Sequence, residues 1–354
     1  MMQRALVTGS SGLVGSGSVR FLCEKGFKVF GIDRDLRQRF AGPDASTDGE
    51  RHKLDEQLPS FFPLSADIRD LGRMQEIFRY YGPFDLVIHA AGQPVHDWAT
   101  EHTVEDFHIN AVGTLNVLET CRSLSPDAVI IHLSTSKVYG SKLESLPLVE
   151  LETRYDLPAH HPLYAGIDES LGIDRCTRSM FGASKAAADV IAQEYGRYLG
   201  LKIAVFRPVT ITGSSHRGTA AHGFLSHLVN CLRSGNEYVI NGFKGKQLRD
   251  NIHVDDLVAA FWQVYLDPEH TYGEVYNIGA GRQSCSSIVE AIAFVERWVQ
   301  RSATVRYTEQ ARQADWRWCL FDARLFQSRY PAWIPTYDSD RLLKELCAQW
   351  APRT

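Results

Sequence analysis

Two clusters of residues have the types and spacing for chemistry. The first is Thr8-Gly9-Ser10-Ser11-Gly12-Leu13-Val14-Gly15, a GxxGxxG turn between an apolar strand, RALVTG, and an amphipathic helix. Glycines let the backbone come close to a pyrophosphate, and the open N–H groups and dipole of the following helix favour its charge. Gly9, Ser11, Gly12, Leu13 and Val14 are therefore candidate dinucleotide contacts. The next strand, KVFGID, ends in Asp33, placed to accept from the adenosine ribose hydroxyls. A carboxylate there repels a 2′-phosphate and favours NAD over NADP, although the adjacent Arg34 could accept such a phosphate. The bland alternatives are a tight turn for the glycines and a cap for Asp33.

The second cluster is split along the chain. Ser134-Thr135-Ser136-Lys137-Val138-Tyr139-Gly140 ends a strand, and Phe181-Gly182-Ala183-Ser184-Lys185 opens a helix further on. The strand end lies at the carboxyl edge of the sheet, where ligands of doubly wound folds bind, so its hydroxyls and the helix lysine are candidate site groups. Between the clusters, Asp67 and Ile68 follow a third strand where adenine would lie, with helix capping a nearly equal reading for Asp67. Ala90-Ala91-Gly92 closes a fourth strand with small residues that a flat cofactor could lie against, or that simply pack closely. Asn110 and Pro208 are expected on the cofactor side too, with Ser134, although a structural role suits Ser134 better. Gln93, His96 and Asp97 follow the fourth strand, where they could reach sugar hydroxyls.

The elements needed to position these groups are legible. Short apolar runs (RALVTG, KVFGID, PLSAD, LVIHAA, VIIHLSTS, KIAVFRP) alternate with amphipathic stretches, which is the mark of βαβ units and a doubly wound parallel sheet. The expected fold is α/β: a Rossmann-type sheet over 1–208, with segments around 250–280 returning to it, and a smaller C-terminal substrate-binding lobe over 209–354. Segments 36–60 and 143–178 are too long for simple connections and are expected to be functional loops or lids.

The 354 residues carry 38 Lys+Arg against 42 Asp+Glu, a net charge of −4 that offers no global attraction to nucleic acid or to an anionic membrane. No apolar run reaches the length of a membrane span, and the opening MMQRALVTGSSG leaves no room for a signal peptide. A cytoplasmic protein is expected. The seven cysteines show no metal-binding or disulfide spacing, so no metal site is expected.

On these motifs the chain resembles the extended short-chain dehydrogenase/reductases, whose pattern is TGxxGxxG, Ser or Thr after strand five, and YxxxK. Thr135 and Lys185 match it, and Phe181 stands where the family has its tyrosine. The resemblance implies that a phenol made acidic by the lysine takes the hydroxyl proton, which Phe181 cannot do. Three readings stay open: an engineered Tyr-to-Phe trap, another native base, or retained binding without catalysis. Replacement bases are sought in Tyr164 first, then Asp168, Glu169 and His96.

STSKVYG, GIDES, the FGASK helix, FRPVTITG with Thr210, and GKQLRDNIH with Arg249 are similar to segments of the CDP-tyvelose (CDP-paratose) 2-epimerases within that family. The likeness implies an NAD-dependent epimerisation of a nucleotide sugar through a keto intermediate, at C2 and with C4 as the alternative. Ser136 and Lys137 replace the acidic pair of the family's dehydratases, so a 4,6-dehydratase is disfavoured. It also implies that Arg249 grips the diphosphate, that His222, Arg282 and Arg312 add contacts to the nucleotide, and that helices near 104–123 and 184–199 form a homodimer. A structural pairing of Arg249 with Asp255 or Asp256 is its bland alternative.

Overall fold

The computed structural model describes residues 2–216, 218–220, 223–312 and 314–348. Its main sheet has seven strands: β1 (Arg4–Thr8), β2 (Lys28–Asp33), β3 (Phe61–Ser65), β4 (Leu86–His89), β5 (Val129–Leu133), β6 (Lys202–Pro208) and β7 (Glu274–Ile278). They lie in the order β7-β6-β5-β4-β1-β2-β3, and every pairing is parallel. Strands covered on both faces need no polar alternation, which is why β4 and β5 read as continuous apolar runs. One face packs against α1 (Leu13–Glu24) and α4 (Val254–Leu266), the other against α2 (Gly113–Leu124) and α3 (Met180–Arg197).

The chain winds outward from β1 to β2 and β3, then crosses to β4 on the other side. That reversal leaves a crevice at the carboxyl ends of β1 and β4, the usual ligand position in such sheets. The two strand ends are tied there: Ala90 N donates to Thr8 O at 3.2 Å and Ala91 N to Thr8 Oγ1 at 3.2 Å.

Turn and helix are pressed together below the crevice. Gly9 has φ +68°, and a Cβ on Gly15 would lie 1.9 Å from Gly9 O. Backbone cannot yield that much locally. Gly15→Ala is expected to lose about 3 kcal/mol of stability, at the upper end of ordinary overpacking, read as a lower urea midpoint. An unchanged midpoint would contradict this packing.

The carboxyl edge is braced by a buried network. Arg207 on β6 donates to Asp189 on α3 through Nε (2.9 Å) and Nη2 (2.7 Å), and Ser134 Oγ donates to the same carboxylate. Arg207 Nη1 also donates to Tyr139 Oη at 3.0 Å, and Tyr139 Oη donates to Asn277 Oδ1 at 2.7 Å. Buried, mutually bonded side chains thus tie the end of β5 to α3, β6 and β7.

Beyond β6, strands Thr210–Thr212, Leu248–His253, Cys285–Ser287 and Trp318–Cys319 form a small mixed sheet. Helices Phe224–Ser234, Ile288–Val299 and Ser339–Ala348 enclose a separate apolar cluster that includes Leu228, Leu232, Val295, Leu342 and Leu346. Among the described residues, no helix is long and apolar enough to cross a membrane.

Candidate active site

One cavity of about 480 Å³ runs from the N-terminus of α1, past the ends of β4 and β5, to the small sheet. At its first end lie Gly9, Gly12, Leu13 and Val14, with Asp33, Arg34, Asp67 and Ile68 along the side. The N-cap of α1 is Gly12, and no side chain caps the helix. Buried Ser11 Oγ beside it has no hydrogen-bond partner. An anion with several oxygens fits such an uncapped helix end.

Asp33 is pre-set by backbone: Oδ2 accepts from Ser11 N at 2.9 Å and Oδ1 from Asp35 N at 2.8 Å. Each oxygen keeps a lone pair for a hydroxyl. Arg34 turns away from it to Asp67, at 3.0 Å, and Arg69 grips the same carboxylate at 2.7 Å. Burial works to raise the Asp67 carboxyl, but the Arg69 hydrogen bonds and both guanidinium charges outweigh it and hold the group below the ordinary carboxylate range.

The centre of the cavity is lined by Ala90, Ala91, Gly92, Gln93, His96, Ser134, Thr135, Lys137, Phe181, Lys185 and Pro208. Lys185 Nζ is buried and donates to Leu133 O at 2.6 Å. Burial lowers its ammonium to about 8, against the pull of Asp189 and Asp106. The Phe181 ring meets the His96 ring edge-on, with centroids 4.7 Å apart, and His96 Nδ1 lies 2.9 Å from Ser179 Oγ. Gln93 is held by Asn110 Oδ1, which accepts from its N–H at 2.9 Å, and by its own bonds to Val95.

The far end collects cations. Thr210, Arg249, Arg312 and Asp315 line it together with Gln247 and Asn241. Arg249 donates to Asp315 and to Trp316 O, the latter at 2.6 Å. The structural partner of Arg249 is therefore Asp315, and neither Asp255 nor Asp256. Burial works to raise the Asp315 carboxyl, but the Arg249 and Lys137 charges outweigh it and hold it low.

The geometry corrects several expectations. Tyr164 does not line the cavity: the Arg282 guanidinium lies 3.3 Å from its ring centroid, and Arg282 Nε donates to Tyr164 O. Arg282 is itself consumed by a two-pronged pair with Asp156, at 2.9 and 2.8 Å, so it is a strut of the 143–178 segment and not a ligand contact. Asp168 caps the short helix Glu169–Leu171 through Ser170 N. Glu169 accepts from Asn277 N at 2.6 Å, also outside the cavity. Ser11 and Asn110 stand behind the lining, and His222 lies outside the described residues. Segment 36–60 is largely helical, with a helix at Asp48–Gln57, yet Leu36, Arg37, Phe40 and Thr47 do line the cavity.

Lys137 was missed as a site residue, though its place two residues past Thr135 on a strand-end motif was the available signal. Its Nζ donates to Ala314 O at 2.9 Å and sits 3.8 Å over the Trp316 ring. Burial lowers its ammonium to about 8.

Glu169 yields a stability prediction. Burial, aided by Asp168 and Asp322, pushes its carboxyl up to about 7 despite the backbone bonds. The native state then keeps a proton that the unfolded chain releases near 4.5. Its contribution is full below that value and is lost as pH rises from about 4.5 to 7. Glu169→Gln should flatten that part of the stability-versus-pH curve in chemical denaturation, and an unaltered slope would refute the burial of this proton.

Residues 5–279 match the family described as the NAD dependent epimerase/dehydratase family. The chain is also 31% identical over 330 residues to CDP-paratose 2-epimerase of Salmonella typhi, covering 91% of each. This chain belongs to the NAD-dependent epimerase/dehydratase family. NAD is accordingly its cofactor, in keeping with the uncapped helix end and the paired acceptors of Asp33. UDP-glucuronate 4-epimerase 2 of Arabidopsis thaliana is 27% identical, covering 88% of this chain and 67% of that one. The fold of the epimerase/dehydratase family is visible directly against the structure of Thermus thermophilus UDP-glucose 4-epimerase complexed with NAD. The TM-score is 0.79 at 21% identity, covering 99% of this chain and 100% of that one.

Proposed function

We propose that the protein epimerises a nucleotide-diphosphate sugar, at C2 of a hexose, by transient oxidation. The observation that supports this most is a single cavity joining an uncapped helix end, a centre made by Thr135 and the buried Lys185, and a cationic end built on Arg249 and Arg312. The 31% identity to a 2-epimerase over nearly the whole chain supports the choice of carbon. Bound NAD supplies a reversible hydride acceptor.

In this reading the N–H groups of Gly12, Leu13 and Val14 meet the pyrophosphate, Asp33 accepts from the adenosine ribose, and Asp67 and Ile68 flank the adenine. Ala90, Ala91, Gly92 and Pro208 form the walls of the nicotinamide half. Thr135 holds the reacting sugar hydroxyl, while Lys185 orients the nicotinamide ribose and places a positive charge beside it. Gln93 and Thr210 contact other sugar hydroxyls, and Arg249 and Arg312 take the diphosphate. A guanidinium offers the paired donors that a diphosphate needs. Ser136 and Lys137 leave no acid pair to expel a hydroxyl, so water is not lost.

The test is incubation with NAD and a panel of CDP-, UDP-, GDP- and dTDP-hexoses. An isomer of unchanged mass and altered retention is expected; loss of water from the sugar or stoichiometric NADH would overturn the reading. Phe181 favours one second reading, a protein that binds NAD and sugar nucleotide without turnover, which the same panel would reveal by binding alone.

The partner in this reading is a second copy of the chain. Val104 (70% exposed), Phe107, Leu115 and Val190 leave apolar surface on the helices of 103–124 and on α3. Light scattering at micromolar concentration is expected to give twice the chain mass, and a monomer would contradict it.

A further inference from the structure

Behind the wall of Ala90, Ala91 and Gly92 lies a fully buried histidine, His89, that the reaction does not touch. We infer that His89 is a positioning residue: as its Nε2–H tautomer it spaces the pyrophosphate turn, the nicotinamide wall and the helix of Lys185, and so sets where the nicotinamide ring lies. The inference rests on the placement of the nicotinamide half given above and does not need the sugar reaction.

The hydrogen bonds around the ring run in one direction. His89 Nδ1 lies 2.7 Å from Thr8 Oγ1, and Nε2 lies 2.9 Å from Thr114 Oγ1 on α2. A hydroxyl has one proton to give, and Thr114 gives its own to Asn110 O at 2.6 Å. Thr114 Oγ1 is left to accept from the imidazole, which puts the ring proton on Nε2. Nδ1 is then bare and accepts the Thr8 hydroxyl proton, while Thr8 Oγ1 accepts from Ala91 N at 3.2 Å. Burial, helped by the Lys185 charge, lowers His89 to about 3, so the ring is neutral at working pH and the direction of the bonds does not reverse.

Both ends of this chain reach groups that line the cofactor cavity. Thr8 opens the glycine turn, and the turn presses on the wall: a Cβ on Gly9 would lie 2.9 Å from Ala91 N. At the other end, Asn110 Oδ1 accepts from Gln93 N at 2.9 Å, and Nδ2 donates at 3.0 Å to Ser184 Oγ, the residue before Lys185. Gly92 is enclosed between them, since a Cβ there would lie 3.0 Å from Asn110 Oδ1 and 3.9 Å from Lys185 Nζ. A buried, fully bonded network holds its members to one arrangement. Turn, wall and lysine helix are therefore spaced by a single run of side chains with His89 at its middle.

The first measurement separates the nicotinamide ring from the rest of the cofactor. The nucleotide-free full chain is titrated calorimetrically with NAD and with ADP-ribose, which lacks the ring. His89→Asn keeps an acceptor near Nδ1 and loses the bond to Thr114. NAD is expected to bind it about 3- to 10-fold more weakly, the effect of one lost hydrogen bond, with ADP-ribose changed less than twofold. Thr114→Val should act in the same sense and Thr114→Ser should bind as the wild type does, which keeps the comparison available if His89→Asn does not fold. A staple that only stiffens the sheet would lower the melting temperature and leave the preference for NAD over ADP-ribose intact, and that result would overturn the proposal. A wild type that binds ADP-ribose as tightly as NAD would defeat the placement of the ring, and the proposal with it. Unchanged preference in the variants beside a wild type that prefers NAD defeats the proposal alone.

The second measurement needs neither turnover nor a variant's affinity. Nitrogen-15 NMR of the histidine-labelled holoprotein, with the His89 signals assigned by their absence in His89→Asn or by their shift in Thr114→Val, should show Nε2 protonated and Nδ1 bare at neutral pH. A proton on Nδ1 overturns the assignment.

Discussion

Replacing Lys185 with methionine is expected to lower kcat by about 10²–10⁴-fold, the usual range for loss of a positioned proton-transfer or charge-stabilising group. The ammonium is buried on α3 and fixed by Leu133 O at 2.6 Å. With Phe181 four residues earlier, it has no phenol to make acidic. In the proposed reaction its remaining work is to orient the nicotinamide ribose and to place a positive charge where negative charge gathers on the sugar oxygen. NAD retained after purification should fall in parallel, measured by nucleotide release on denaturation. Methionine keeps most of the side-chain length without the charge, so the fold should persist. Activity within threefold of wild type would mean that Lys185 is only a core lysine.

Arg249→Met should affect two quantities that can be separated. Sugar-nucleotide affinity is expected to fall roughly 30- to 1,000-fold, corresponding to about 2–4 kcal/mol for charge-assisted bonds to a diphosphate. Stability should fall as well, because the variant leaves the largely buried Asp315 carboxylate without its guanidinium. Breaking one side of such a pair costs about 3–5 kcal/mol. Adding Asp315→Asn removes the stranded charge and should restore most of the melting temperature without restoring affinity. If affinity, read by calorimetric titration with the sugar nucleotide, returns together with stability, Arg249 is a structural partner of Asp315 and nothing more.

The parts legible from sequence were those with strong local patterns. The first six strands are apolar runs long enough to stand out, and the GxxGxxG turn carries its own geometry. A return to the sheet was expected around 250–280, but β7 itself was not picked out because EVYNI carries polar Glu274 and Asn277 and follows an irregular stretch; it becomes a strand by pairing with β6. Asp48–Gln57 was read as loop because DGERHKLDEQ has only one apolar residue, Leu54, and that single anchor is enough once packed under α1.

The site was half legible for a similar reason. Residues at strand ends face the crevice by topology, which put Asp33, Ala90 and Thr135 in the cavity lining, and Lys185 reaches it from the first turns of α3. Tyr164 and Arg282 failed because their direction is set by each other and by Asp156, across 126 positions of sequence from Arg282. No local pattern records such a pairing. The contact of His96 with Phe181, 85 positions apart, was equally invisible.

The most direct test of transient oxidation is the fate of the hydrogen on the inverted carbon. A nucleotide hexose deuterated at C2, converted in ordinary water, is predicted to give a C2-inverted product that retains its deuterium, because the same hydride is removed and returned inside a closed site. A C2-inverted product that has exchanged its deuterium for solvent hydrogen would mean deprotonation at carbon, and would contradict hydride transfer as the chemistry of this protein.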